Sequence, residues 1–136
     1  MTRRWAGLGL LVVALAALVL GAACLGGERG EITVGYAVET RLAEQPIVEP
    51  LEGPAEAGRE LFLRLEVPEP REEAFVMVRG SRRLGGSFQQ LFEFEQAAAP
   101  PWRVIVIPIT LSRQGEWLIS VFASSRKLTD VELDVE

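Results

Sequence analysis

Apolar and polar positions divide the chain into two unlike parts. From Trp5 to Gly27 no residue is charged, and Leu10 to Leu20 is an unbroken apolar run. From Glu31 onward the pattern changes to period two, which predicts strands with one face buried. Over 31–39, Ile32, Val34, Tyr36 and Val38 alternate with Thr33, Gly35 and Ala37. Over 59–67, Leu61, Leu63, Leu65 and Val67 alternate with Phe62, Arg64 and Glu66, and Pro68-Glu69-Pro70 is expected to end that strand. Further strands are predicted at 74–79, 88–95, 103–111, 116–123 and 128–135. The stretch 103–111 is apolar on both faces, but Pro108 lacks an N–H, so a bulge or an edge position is expected there. Gly80, Gly85 and Gly86 predict a hairpin loop over 80–87. Residues 40–58, with Pro46, Pro50 and Pro54 among glutamates, can form at most an edge strand or an extended cover. About seven strands, turns every 8–12 residues or so and no helical period predict an all-β, single antiparallel β-sandwich over 31–136.

Composition narrows the chemistry. The 136 residues include no His and a single Cys. That excludes an imidazole base, a His-containing triad, an internal disulfide and a cysteine zinc site. No GxSxG elbow, P-loop or GxGxxG occurs in the strand-forming part. The expected protein is therefore not an enzyme and needs no cofactor or metal.

The apolar run reads as an address. Arg3 and Arg4 precede it, and small residues end it at Leu20-Gly21-Ala22-Ala23-Cys24. A basic start, an apolar centre and a small-residue end describe a secretory signal peptide. The end resembles the lipobox of bacterial lipoproteins, with Gly21 where that family usually has Leu. The resemblance implies cleavage before Cys24, lipidation of its thiol, and residence on the extracytoplasmic face of a bacterial membrane. On this reading 1–23 is the signal peptide and 24–30 a flexible tether. Two alternatives stand beside it. The run is long enough to cross a bilayer uncleaved as a single-pass anchor, and plain secretion would leave Cys24 unmodified. Cleavage before Cys24 would remove two arginines and no acid, taking the formal charge from −5 to −7. So acidic a domain is not expected to bind nucleic acid.

The order of the later strands carries a second resemblance. Gly115-Glu116-Trp117-Leu118-Ile119-Ser120-Val121 resembles the Gly-x-Tyr-x-hydrophobic-x-Val segment on the penultimate strand of immunoglobulin-like and fibronectin-like domains. It implies an immunoglobulin-like sandwich. With Trp117 replacing the Tyr, no tyrosine-corner hydroxyl is expected.

Candidate partner-binding residues are few. Arg79, Arg82 and Arg83 concentrate positive charge around a glycine-rich turn, where guanidinium forks could take a phosphate, a carboxylate or an acidic partner. The plainer reading is a solvated loop that balances nearby glutamates. Trp102 follows Pro100-Pro101 and is either an exposed recognition anchor or a lid over one end of the sandwich. The acids Glu93, Glu95, Glu132, Asp134 and Glu136 alternate as a solvated sheet face does. Together these features predict a membrane-anchored binding or accessory module of the cell envelope. An assembly subunit pairing through an edge strand is the alternative, and a small carboxylate-dependent hydrolase the last.

Overall fold

A computed structural model describes residues 30–38 and 46–136. Eight strands are present: β1 Glu31–Val38, β2 Ile47–Pro50, β3 Glu60–Arg71, β4 Phe75–Leu84, β5 Ser87–Ala97, β6 Trp102–Thr110, β7 Gly115–Ala123 and β8 Arg126–Val135. They form two antiparallel four-stranded sheets, ordered β2-β1-β3-β6 and β5-β4-β7-β8. The fold is a β-sandwich. Setting β2 aside, β1-β3-β6 against β5-β4-β7-β8 is an immunoglobulin-like distribution of strands between sheets.

The period-two pattern becomes the core. Leu61, Leu63, Leu65 and Val67 of β3 face Val76 and Val78 of β4 and Ile119 and Val121 of β7 across the sheets, all of them buried. Each such side chain contributes roughly 1.5–3 kcal/mol when fully removed from water. β6 adds Ile105, Ile107 and Ile109 to the same core.

Three sequence expectations change. The 59–67 strand runs on through Pro68 and Pro70 to Arg71, with its register against β6 shifting between Glu66 and Arg71. That irregularity lets the two prolines sit where the regular ladder is already interrupted. The 80–87 loop shrinks to two residues, because β4 continues to Leu84 and β5 begins at Ser87. Gly85 there has a φ of 68°, a left-handed conformation that favours glycine. Gly80 is a strand residue opposite Phe92, and a Cβ on it would collide with the Phe92 ring. It serves a close aromatic approach, not a turn. The eighth strand, β2, comes from the proline-rich stretch.

Pro108 sits on β6, an edge strand, as expected. Its position opposite Phe62 falls in an unbroken register from Val104 to Thr110. The missing N–H is therefore on the side that no strand pairs. Residues 51–58 also behave as an extended cover. Ala55 N–H donates to the Asp134 carbonyl at 2.8 Å, and Glu136 N–H donates to the Ala55 carbonyl at 2.8 Å. Ala55 is only 1% exposed and bridges β8 in parallel at Val135.

Candidate functional site

Cys24 and the whole apolar run lie outside the described residues. The remaining sequence candidates can be placed. Arg79, Arg82 and Arg83 stand on strand β4, whose register with β7 is unbroken from Met77 to Arg82, so alternation sets Arg82 on the face opposite Arg79. The Arg79 Nε donates to a Glu93 carboxylate oxygen at 3.1 Å, and its guanidinium lies 4.7 Å from the Phe122 ring centre. Arg83 pairs with Glu116 at 2.5 Å and lies over Phe88 at 4.8 Å. The Arg82 Nε donates to the Gln114 carbonyl at 2.6 Å, beside Gly115. Each guanidinium therefore has an intramolecular partner.

Trp102 is 6% exposed, and its indole N–H donates to the Glu73 carbonyl at 2.8 Å. Buried in this way, it covers one end of the sandwich and presents no recognition face. Trp117 occupies the Tyr position of the penultimate-strand segment. Its indole N–H donates to the Arg113 carbonyl, four residues upstream, at 2.9 Å. A corner bond back to the upstream backbone is thus made with an indole donor where the related folds use a hydroxyl.

The acids separate as well. Glu93 and Glu95 are on β5 and Glu132 and Asp134 on β8, at opposite edges of one sheet. Among the described residues no cleft joins the β5 acids to the β8 acids, whereas Glu132 and Asp134 line one open cleft together with Glu116 and Arg83. Among the described residues, no group of three or more His, Cys, Asp or Glu is placed to hold a metal ion.

One surface escaped the sequence reading. Between β1 and β8 runs a groove of about 600 Å³, lined by Ile32, Val34, Leu51, Val131, Leu133 and neighbours. Its lower end is closed where Gly30 N–H donates to the Leu128 carbonyl at 3.2 Å, and its upper end by the Ala55 bridge. The signal was present in the alternation Val131, Leu133, Val135 against Glu132, Asp134, Glu136. What the sequence hides is that this strand forms a sheet edge and that 51–58 covers only part of it.

The fold and its surfaces define a two-sheet β-sandwich of immunoglobulin-like arrangement. Compared with protein-family models and with curated proteins, the chain matches neither a family model nor a curated sequence.

Proposed function

We propose that the chain is a lipid-anchored, extracytoplasmic module of a bacterial cell envelope, whose β-sandwich binds or assists another envelope component without catalysis of its own. Cys24 carries this reading. It is the only cysteine, and it ends an uncharged apolar run that begins just after Arg3 and Arg4. Lipidation would form a thioether between its sulfur and the diacylglyceryl group of a donor phospholipid, breaking that lipid's glycerol–phosphate C–O bond and releasing the phosphate headgroup and the thiol proton. Hydrolysis of the Ala23–Cys24 peptide bond by water would make Cys24 the N-terminus. Two acyl chains hold a membrane far more firmly than one. The first strand starts at Glu31, so the chain from Cys24 to it spans about 25 Å at most when extended. That length supports a domain held close to the bilayer surface. Intact mass spectrometry of the protein from membranes tests the reading. A diacylglyceryl adduct on an N-terminal Cys24 is expected, and Cys24→Ala should release the domain or leave its precursor uncleaved. A mass that includes Met1 and no lipid overturns it in favour of a single-pass anchor.

The assembly reading is favoured by a different observation, the exposed edge of β8. It is compatible with either form of anchorage.

A further inference from the structure

We propose that the open edge of β8 between Leu128 and Asp134 is a β-augmentation site for an extended partner segment in which basic and apolar residues alternate. The inference gives the binding-module reading its surface, and it rests on that reading for the existence of a partner.

The four sheet edges are not equivalent. β2 has four residues and ends on Pro50. β6 carries Pro108. β5 pairs with β4 through a shifted register at Gly80 and Ser81. β8 has no proline, and its register with β7 is regular from Thr129 to Val135. Its outward backbone groups can be assigned by alternation. The Asp134 carbonyl and the Glu136 N–H face the covering segment, so the N–H and C=O of Asp130 and Glu132 point the same way. Among the described residues neither is met by another strand, because the cover stops at Ala55 and the N-terminal contact stops at Leu128. The described residues thus pair with this edge at both ends and leave about 20 Å of it bare between them.

The two sides of that bare stretch differ in chemistry. Inward lie the half-buried Ile32, Leu51, Val131 and Leu133. Outward stand Asp130, Glu132 and Asp134, all exposed. Asp130 is held by Lys127 at 2.8 Å, whereas Glu132 and Asp134 have no ion pair among the described residues. A strand added here would place alternate side chains over the apolar lining and beside the carboxylates. Apolar residues suit the first set and lysine or arginine the second. A second copy of the same strand fits poorly, because antiparallel self-pairing sets acid against acid.

Hydrogen exchange on the full chain purified from membranes tests the site. The probes are two end-capped eight-residue peptides, one alternating lysine with valine and one alternating glutamate with valine. At about ten times its dissociation constant the basic peptide should slow exchange over 128–134 by about tenfold and leave β5 unchanged. Glu132→Gln with Asp134→Asn should weaken that peptide about tenfold. Glu132→Pro should abolish the protection by removing an outward N–H, with unchanged exchange in β7 showing that the fold survives. No slowing, equal slowing by the acidic peptide, or protection centred on another edge overturns the proposal. So does concentration-dependent self-association through β8 without peptide, which would make a second copy the occupant. Lipidation at Cys24 is read independently by mass, so failure of the anchor and failure of the edge site are distinguishable.

Discussion

The two ends of the sandwich are each closed by a tryptophan, and they are closed differently. At the end where the chain enters at Gly30, Trp102 reaches 29 residues back to the Glu73 carbonyl. It ties the start of β6 to the turn between β3 and β4, and so ties one sheet to the crossover into the other. The same turn is held by Ala98 N–H on the Ala74 carbonyl at 2.7 Å and by the Arg71–Glu73 ion pair at 2.6 Å. At the opposite end Trp117 bonds only four residues back and packs 6.0 Å from the Phe92 ring centre. One end depends on long-range closure and the other on a local turn plus aromatic packing.

The largest expected effect comes from removing either ring. Trp102→Ala and Trp117→Ala should each cost about 3–5 kcal/mol, measured by denaturant unfolding. Equal losses at the two ends would sharpen the view that packing dominates both. Next is Gly80→Ala, at about 1–3 kcal/mol, because the new methyl drives into Phe92 and through it against Trp117. Its effect should be smaller in a Phe92→Ala background and unaltered by Trp102→Phe. Trp→Phe at each site keeps most of the ring and removes the donor, leaving a carbonyl without its partner. A cost of about 1–2 kcal/mol is expected at both. Exchange of the 71–75 amides should rise in Trp102→Phe only, and equal changes at both ends would break the comparison.

The smallest effect is a pH dependence confined to the Gly30 end. The hydrogen bond from Arg71 holds the Glu73 carboxyl below its ordinary value of 4.5, against some desolvation that acts the other way. Because the folded state favours the ionised form, its contribution to stability is present above that ordinary value. It is lost as pH falls through it toward the lower folded value. Arg71→Ala should therefore reduce the melting temperature near neutral pH, and the gap from the natural protein should narrow below pH 4.5. Glu73→Gln should remove the narrowing.

The same contrast explains what was legible beforehand. Trp117 lies within a seven-residue pattern that marks the penultimate strand, but its corner bond to Arg113, four residues away, was not expected, because the pattern supplies a hydroxyl there and not an indole donor. Trp102 is bonded to Glu73, whose proximity follows from two sheet crossings that no local pattern encodes. Strand identities were readable because Leu61, Leu63 and Leu65 or Ile119 and Val121 repeat with the period of a pleated chain. The loop expected around Gly80 was misread because glycine serves turns and close packing alike. The β1–β8 groove was hidden for a similar reason. Most residues that line it are ordinary strand residues, and among the described residues only strand order and the path of 51–58 leave their edge bare.

The contact of Gly30 with Leu128 also has a mechanical consequence. β1 runs from Gly30 antiparallel to β3 through five consecutive register pairs, Glu31 to Gly35. Consider a tension applied at Gly30 along the axis of β1. Its hydrogen bonds to β3 are then loaded together in shear, and not peeled one after another. A sandwich pulled from this point should resist extraction well beyond what its equilibrium stability alone implies, since forced unfolding follows the height of the barrier.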